Sequence, residues 1–393
     1  MATTTRPTAA PALTMQGIAI PAESVNPAEF FARTRRHTAT EKTVTYAGQS
    51  SDTIELRKSD ILSTVLVRFV GSLVVAHTTG TVATTARWAQ DLVKQFRFTA
   101  NGASNLINCS GGKLKVRDIM KRGDISDRGV SQTFGGSAIT QGSLALASES
   151  WGVGSNTSGI AAGTYDVELE WIVPVAEDEQ DLAGAIFLQT STSDLTLQMD
   201  YSAPSELFVL TGDGTATLTG SFTVATTKFS IPVGSNGGIV VPDLSLFHSI
   251  IQSRTTALQV GENETRIVGQ GAGKSLLRIF WQVWNGTPAV PLVQSAANFG
   301  KQIYRYGNNE SPEEILDGRH MRVMNERQYN SDIGGVFGFG CFDFVQENAF
   351  RDVIDLGTTS EFRLVNTINS GVTLSNQALE YVTEVVFQAG QAA

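Results

Sequence analysis

Residues 165–175 (YDVELEWIVPV) alternate apolar and polar side chains with a period of two. Val167 and Leu169 fall on one side of an extended chain, while Asp166 and Glu168 fall on the other. Successive side chains of a β-strand point to opposite faces, so this alternation predicts a strand with one buried and one solvent-facing side. A strand of this kind belongs to a sheet that covers a core on one side.

Other β-rich segments extend in both directions from this strand. Residues 61–76 (ILSTVLVRFVGSLVVA) are β-branched and mostly apolar, which is typical of a strand covered on both faces. Residues 195–201 (LTLQMDY) repeat the alternation, and a Gly-Asp-Gly turn lies within residues 211–215. Many short strands separated by turns indicate a sandwich or barrel. Four further segments have this texture: 276–284 (LLRIFWQVW), 335–344 (GVFGFGCFDF), 361–365 (EFRLV) and 381–387 (YVTEVVF).

Length and composition predict two β-domains. The 393 residues exceed the roughly 250–300 at which a single hydrophobic core stops growing. The 38 glycines and the low charged share of 17% favour β-structure with many turns over helices. Three glycines and two prolines crowd into residues 231–243, where we place the boundary. The predicted ranges are 1–40 for an N-terminal arm, 41–238 for the first domain and 239–393 for the second.

A short basic helix is predicted over residues 26–38. Asn26 is the expected N-cap, Pro27 the first helical residue and Glu29 the end of a capping box. The helix has two interpretations: a basic amphipathic helix on a membrane surface, or an arm that docks its two phenylalanines on its own barrel. The candidate residues for contact with a membrane or an inner face are Phe30, Phe31, Arg33, Arg35 and Arg36.

A second helix interrupts the second domain. Ser311, Pro312 and Glu314 form the pattern of another capping box. The residues that follow supply an imperfect apolar face: Ile315, Leu316, Met321, Val323 and Met324.

The sequence contains partial motifs for nucleotide and metal binding, but none of them has the residue spacing that such a site requires. Residues 269–275 (GQGAGKS) resemble a phosphate-binding loop, but Val268 stands where that loop needs glycine, and a strand pattern follows instead of a helix. The acidic residues 177–181 (EDEQD) lack the spacing of an EF-hand, so we interpret them as a solvated loop and not a cation site. The four histidines show no zinc-binding spacing. We therefore expect no catalytic residue, cofactor or metal, and a protein that is not an enzyme.

The net charge and the cysteine content indicate which partners and which compartment the protein is expected to have. The net charge of −9 argues against a coat that wraps nucleic acid directly, and we expect no sequence-specific nucleic-acid binding. Residues 1–40 carry four arginines against two glutamates, so a basic arm precedes an acidic body.

Cys109 and Cys341 are predicted to be buried thiols in a reducing compartment. The first eleven residues contain no apolar run, so we expect no signal peptide, and no segment approaches a membrane span.

Several segments resemble, in the same order, parts of tectivirus major capsid proteins. Residues 165–189 resemble a strand, Pro, acidic loop and D-L-x-G-A element of that family, and residues 231–250 resemble its inter-barrel segment. Residues 85–102 and the helix after Ser311 also match in order. The first 25 residues, rich in Thr, Ala and Pro, do not resemble the family's N-terminus.

The resemblance implies a double jelly roll: two tandem eight-stranded barrels with a short N-terminal helix and a helix inserted in the second barrel. It further implies homotrimers that form pseudo-hexagonal capsomers of an icosahedral shell. That shell would enclose an internal membrane and double-stranded DNA, and the N-terminal arm would face the membrane. Expected partners are neighbouring capsomers, minor capsid proteins and vertex proteins. The expected location is the virion, after synthesis and assembly in a bacterial cytoplasm.

Two other classes of protein remain open at this stage. A carbohydrate-binding or adhesin-like β-sandwich would be expected to carry a secretion signal and often calcium-site patterning. A jelly-roll enzyme such as a cupin would need clustered His and Glu ligands on its strands. Glycan binding without assembly would favour the first, and a stoichiometric metal would favour the second.

Overall fold

The computed structural model describes most of the chain. The described residues are 13–15, 18–20, 22–85, 88, 90–100, 103–122, 130–134, 137–138, 159–187, 194–234, 237–267, 273–287, 289–306, 314–345, 353–356 and 362–388.

Over these residues the chain forms strands and a few short helices. The strands up to the end of the first barrel are β1 (Leu13–Met15), β2 (Ile18–Ile20), β3 (Ala22–Ser24), β4 (Arg36–Thr45), β5 (Ser51–Glu55), β6 (Ile61–Ala76), β7 (Thr81–Thr84), β8 (Val93–Ala100), β9 (Ala103–Cys109), β10 (Val130–Phe134), β11 (Ser137–Ala138), β12 (Gly163–Pro174), β13 (Ile186–Phe187), β14 (Leu195–Tyr201), β15 (Phe208–Thr211) and β16 (Thr215–Phe229). The remaining strands are β17 (Ile239–Val241), β18 (Leu246–Thr255), β19 (Gly261–Ile267), β20 (Lys274–Asn285), β21 (Val290–Pro291), β22 (Phe299–Tyr306), β23 (Glu314–Ile315), β24 (Phe339–Asp343), β25 (Ile354–Asp355), β26 (Phe362–Ile368) and β27 (Ala378–Gln388). The helices are α1 (Pro27–Arg33), α2 (Gly111–Arg122), α3 (Pro204–Leu207), α4 (Gly318–Tyr329) and α5 (Ile333–Val336), with one 3-10 turn at Gln90–Leu92.

Each barrel consists of eight principal strands, and the order of the strands within the sheets is the same in both barrels. In the first barrel one sheet runs β4–β16–β6–β12 and the other β5–β14–β8–β9. In the second barrel the corresponding sheets run β18–β27–β20–β24 and β19–β26–β22–β23. Numbered one to eight along the chain, both barrels have the sheet orders 1-8-3-6 and 2-7-4-5, which is the arrangement of a jelly roll. The predicted all-β double jelly roll is confirmed.

The two barrels share a continuous sheet. Strand β18 of the second barrel pairs in parallel with β9 of the first, with Ile250 opposite Ile107 and Ile251 opposite Asn108. Backbone hydrogen bonds therefore cross from one barrel to the other. The β18–β27–β20–β24 sheet has an outer face, which points away from the core of the second barrel. The β9–β18 pairing brings this outer face beside the first barrel.

Strand β12 has one buried and one exposed side, as its sequence predicts. On β12 the side chains of Val167, Leu169 and Trp171 are buried, whereas Asp166 and Glu168 are exposed. Strand β6 is covered on both faces only over its first half and alternates over its second half. In this second half Phe69 and Leu73 are buried, whereas Val70 and Val74 are 49% and 43% exposed.

Helix boundaries differ from those predicted. Helix α1 begins at Pro27 with Asn26 as its cap, but it ends at Arg33 and not near residue 38, because β4 begins at Arg36 and pairs with β16. The Glu29 carboxylate accepts a hydrogen bond from Arg33, four residues on in the helix.

The predicted helix start at Ser311 is also displaced. Ser311 and Pro312 lie outside the described residues, and Glu314 belongs to β23. Helix α4 begins at Gly318, because the Asp317 side chain accepts the His320 N–H and caps it. Helix α2, which lies in the first barrel, was not predicted.

The strands of the two barrels flank the predicted boundary. The first barrel ends with β16 at Phe229 and the second begins with β18 at Leu246. The segment between them contains β17, which pairs in parallel with β3. The domain ranges 1–40, 41–238 and 239–393 stay a prediction.

Candidate functional site at the junction of the barrels

Helix α2 carries three cationic side chains into the junction of the barrels. Lys113, Arg117 and Lys121 are spaced by four residues and lie on one face of the helix. Lys113 is fully buried and Arg117 nearly so. Buried cations require paired anions, because a lone charge in a low-dielectric interior is strongly destabilising.

Glu384 of β27 is the central anion. Its Oε1 accepts two hydrogen bonds from Arg117, from Nε at 3.0 Å and from Nη2 at 2.6 Å. Its Oε2 accepts one from Arg278 Nη1 at 2.7 Å. Burial alone would raise the pKa of Glu384, but the cations Arg117 and Arg278 outweigh that effect and hold its pKa well below the usual range.

Glu177 is the second anion and comes from the first barrel, just after β12. Its Oε1 accepts a hydrogen bond from Arg278 Nη2 at 3.1 Å and lies 2.5 Å from Lys121 Nζ. Arg117 Nη2 also donates to the Glu177 backbone carbonyl at 3.0 Å. Burial raises the pKa of Glu177, yet Arg278, Lys121 and Arg117 lower it to below its ordinary value. Charges from both barrels therefore neutralise one another in one buried network.

His248 of β18 completes the network. Its Nδ1 lies 3.0 Å from the Pro174 carbonyl oxygen and its Nε2 lies 2.7 Å from Glu384 Oε1. The two ring nitrogens therefore face oxygen atoms from both barrels, Pro174 in the first and Glu384 in the second.

Lys113 occupies the other end of the helix face. Its Nζ lies 2.7 Å from Gln282 Oε1 and 2.9 Å from Glu380 Oε2. It also stands 4.8 Å from the centre of the Phe339 ring, within the range of a cation–π interaction. We use the name ionic junction for the contacts among the following residues: Lys113, Arg117, Lys121, Glu177, His248, Arg278, Gln282, Glu380 and Glu384.

The ionic junction corrects one prediction. Residues 177–181 were expected to form a solvated loop, but Glu177 is buried, while Gln180 is exposed. The loop turns toward the second barrel as it leaves β12, where three cations surround the Glu177 carboxylate. The sequence analysis missed this site, and the spacing of four residues between Lys113, Arg117 and Lys121 is the signal that could have found it.

The candidate contact residues of the arm divide into two groups. The Phe30 ring is fully buried and lies 6.4 Å from the Phe229 ring, and the half-buried Phe31 ring lies 5.4 Å from it. Of the two interpretations of this helix, the structure shows the aromatic pair docked on its own barrel. Contact of this region with a membrane or an inner face stays a prediction.

Three arginines of the arm, Arg33, Arg35 and Arg36, are exposed. Arg33 pairs with Glu29 at 2.7 Å and Arg36 with Glu179 at 3.1 Å. The Arg35 backbone N–H donates to Ser230 Oγ at 2.9 Å, and the residue is exposed. Arg33 ends helix α1, Arg35 follows it, and Arg36 begins β4.

Other chemical candidates give no site in the described part of the chain. Residues 268–272 of the glycine-rich segment lie outside it, and Lys274 begins strand β20 and not a helix. The described residues contain no group of three or more His, Cys, Asp or Glu side chains that could hold a metal ion. None of the described helices is long and apolar enough to span a membrane. Cys109 and Cys341 are buried thiols, as predicted, and burial raises the pKa of each.

Comparison with solved structures shows that the fold is shared with viral capsid proteins. The crystal structure of the STIV major capsid protein aligns over 91% of this chain and 98% of that one, at 14% identity and a TM-score of 0.64. The atomic structure of Sulfolobus Turreted Icosahedral Virus contains a chain that aligns over 91% of each chain, at 15% identity and a TM-score of 0.61. Major capsid protein P2 of bacteriophage PM2 aligns over 91% of this chain and 99% of that one, at 12% identity and a TM-score of 0.51. At these identities the likeness shows a common fold.

Comparison of sequences identifies the family. No curated protein sequence matches the chain. The family model of the N-terminal part of the P3 major capsid protein matches residues 23–229, which is more than half of the 393 residues and includes all eight principal strands of the first barrel. The chain therefore belongs to the P3 major capsid protein family and is a major capsid protein with a double jelly-roll fold.

Proposed function

We propose that the chain is a structural, non-enzymatic subunit that forms homotrimers, and that each trimer is a pseudo-hexagonal capsomer of an icosahedral bacteriophage shell. The observation that carries the proposal is that the two barrels have the same strand order and are joined into one unit. The joint consists of the β9–β18 pairing and the ionic junction. Three such units place six barrels around a ring, which is the shape required to tile a hexagonal net.

The rigidity of the joint supports a shell role over a flexible two-domain binding protein. Domains of one chain that are meant to move usually meet through polar, loosely packed surfaces. Here Arg117 and Arg278 reach a single fully buried carboxylate of Glu384 from different barrels. Such a network is strongly destabilised if one partner moves away, so it holds the two barrels in one orientation.

The resemblance to tectivirus major capsid proteins supports a proposal for the wider assembly. The shell encloses an internal membrane and double-stranded DNA in a tectivirus-like phage, and it is assembled in the bacterial cytoplasm. Neighbouring capsomers, minor capsid proteins and vertex proteins are its protein partners. The basic arm faces the membrane, with Arg33, Arg35 and Arg36 as the groups that approach anionic lipid headgroups.

Light scattering and electron microscopy of the purified full chain test the capsomer. We expect a particle of about three times the 42.0 kDa chain mass, with a hexagonal outline in negative stain. An obligate interface of this kind buries more than about 2,000 Å², so the trimer is expected to persist at micromolar concentration. A monomer at that concentration would rule the capsomer out.

Flotation with lipid vesicles tests the proposed role of the arm. The wild-type chain is expected to float with phosphatidylglycerol–phosphatidylethanolamine vesicles, and Arg33→Glu/Arg35→Glu to float less. Arg254→Glu/Arg266→Glu makes the same change in net charge on the second barrel and serves as the control. Equal flotation of both double variants would remove the arm as a membrane contact.

A further inference from the structure

Three side chains at one end of the ionic junction bring an amine, an amide and a carboxylate together. Lys113 Nζ lies 2.7 Å from Gln282 Oε1 and 2.9 Å from Glu380 Oε2. A neutral amine is a nucleophile, the carbonyl carbon of an amide is an electrophile, and a carboxylate can move protons between them. We call Lys113, Gln282 and Glu380 the triad.

The sheet of the second barrel holds the amide and the carboxylate side by side. Gln282 of β20 stands directly opposite Glu380 of β27. Opposite residues of an antiparallel pair have Cβ atoms about 4.5–5.5 Å apart, so their side chains reach each other. Trp284 Nε1 donates to Glu380 Oε2 at 2.9 Å and holds that carboxylate in place. Helix α2 brings Lys113 from the first barrel, so the triad is complete only where the two barrels meet.

The Gln282 amide is oriented with its carbonyl group toward the amine. Its Nε2 donates to the Phe337 carbonyl oxygen, which can only accept, so Oε1 faces Lys113. The carbon Cδ is bonded to Oε1 at about 1.2 Å and therefore lies within about 3.9 Å of Nζ. Reacting atoms in productive geometry stand about 3–3.5 Å apart, so a shift of less than about 1 Å brings Nζ to that distance.

The triad is shielded from water. Lys113 and Gln282 are fully buried, and Nζ lies 4.8 Å from the centre of the Phe339 ring and 5.7 Å from that of Trp284. Burial disfavours the charged forms of an amine and of a carboxylic acid alike. It therefore favours transfer of one proton from Nζ to the carboxylate, which leaves the neutral amine that attack requires. The Glu380 side chain is 16% exposed and connects the triad with solvent.

We propose that Lys113 and Gln282 join spontaneously through an isopeptide bond and release ammonia. Glu380 takes a proton from Nζ, and the electron pair of Nζ attacks Cδ of Gln282 to form the Cδ–Nζ bond. Glu380 then gives its proton to Nε2 and takes a second proton from Nζ. The carbonyl group re-forms as the Cδ–Nε2 bond breaks, and ammonia leaves with the electron pair of that bond. The reaction needs no oxidant or second protein, and it occurs once in each chain.

The bond covalently links the two barrels. Lys113 and Gln282 are 169 residues apart in sequence. A covalent link that closes a long loop removes conformational entropy from the unfolded chain. It also keeps the barrels from separating, in addition to the β9–β18 pairing. The bond lies within one chain and does not depend on formation of the proposed capsomer.

A second buried lysine provides an internal comparison. Lys228 Nζ lies 3.1 Å from Glu41 Oε1 and 2.8 Å from the Arg57 carbonyl oxygen. The side chains of Lys228 and Glu41 are each 2% exposed. This pair has the amine and the carboxylate of the triad, but a backbone peptide takes the place of the side-chain amide. Lys228 is therefore expected to stay unmodified.

Mass spectrometry of the purified full chain tests the bond. The intact wild-type chain is expected to lack the mass of one ammonia molecule. After digestion with trypsin, residues 98–115 are expected to be joined to residues 279–301, because trypsin does not cleave after a modified Lys113. A wild-type chain that retains the ammonia, or one that loses it without these joined peptides, would overturn the proposal.

Two variants test the proton transfer. Glu380→Gln keeps an acceptor for Trp284 but cannot take a proton from the amine, so its two peptides should stay separate. Glu41→Gln makes the same change beside Lys228 and should be cross-linked like the wild type. The wild-type digest decides whether the bond exists even where a variant fails to fold. Cross-linking in Glu380→Gln, or its loss in Glu41→Gln, would contradict the role given to Glu380.

Discussion

Arg117 in the first barrel and Glu384 in the second, 267 residues apart in sequence, form a buried contact in which Nε and Nη2 of the guanidinium both donate to Oε1, at 3.0 and 2.6 Å. Neither side chain is more than 5% exposed. The contact exists only when both barrels are folded and correctly oriented. It therefore couples the stability of each barrel to the presence of the other.

Removal of the Glu384 carboxylate should destabilise the whole chain. Glu384→Ala leaves Arg117 and Arg278 buried without their main anion, and loss of one partner of a buried ionic pair costs about 3–5 kcal/mol. Urea unfolding followed by tryptophan fluorescence measures the loss as a lower midpoint. The control is Glu264→Ala in the same barrel, whose pair with Arg363 is about one-third exposed and should contribute less than about 1 kcal/mol. Equal midpoints for the two variants would contradict a structural role for the ionic junction.

Acidic pH should lower the stability of the folded chain, because it protonates the carboxylates of the ionic junction. The pKa values of Glu384 and Glu177 are lower in the folded chain than in the unfolded chain. The unfolded state therefore binds more protons at acidic pH, so the stability contributed by these groups is complete above the unfolded pKa of about 4.3 and declines as the pH falls below it. The melting temperature should therefore fall as the pH is lowered from about 4.3 toward the lower folded-state pKa values. Glu384→Gln should show a shallower fall over that range, and an unchanged slope would contradict the assignment.

The sequence predicted the barrels better than their junction, for a physical reason. The alternation on β12, as at Val167 and Leu169, is a local property of the strand. It can be recognised in the sequence without knowing which strands pair with β12. Glu177 is different, because three of its cationic partners come from α2 and β20, far along the chain in both directions. A run of five acidic and amide residues is typical of a solvated loop until those partners are known.

The arm illustrates a similar limit. The cap at Asn26 is a local pattern and was predicted, whereas the end of the helix at Arg33 is decided by pairing of β4 with β16. The two roles open to Phe30 could not be separated by amphipathicity alone, because both need an apolar face. The structure shows the Phe30 ring packed against Phe229, and contact of the arm with a membrane stays a prediction.

Gly184 should resist substitution because it lies directly against His248. Its φ is +84°, and a Cβ at this position would overlap the His248 Cβ and lie 2.8 Å from the His248 backbone nitrogen. Gly184→Ala should therefore lose stability through both backbone strain and a clash that separates the barrels. Gly48→Ala is the matched control, since Gly48 has a φ of +72° with nothing within 4 Å. The control should lose about 1–2 kcal/mol from strain and Gly184→Ala clearly more, as measured by urea unfolding. Losses of equal size would show that the contact with His248 contributes nothing.

Docking of helix α1 should depend on Phe30 and not on the surface ion pair of the helix. Phe30 is fully buried, and truncation of a buried phenylalanine costs about 3–5 kcal/mol, so Phe30→Ala should release the helix. Trypsin then gains access to the bonds after Arg33 and Arg35, and the cleavage rate should rise more than about tenfold, since each 1.4 kcal/mol of opening free energy is a factor of ten. Glu29→Gln removes only the exposed pair with Arg33, worth about 0.3–0.5 kcal/mol, and should change the rate less than about threefold. Mass spectrometry of the early fragments measures both rates. If Phe30→Ala were cleaved as slowly as the wild type, the helix would be held in place by contacts other than its buried aromatic ring.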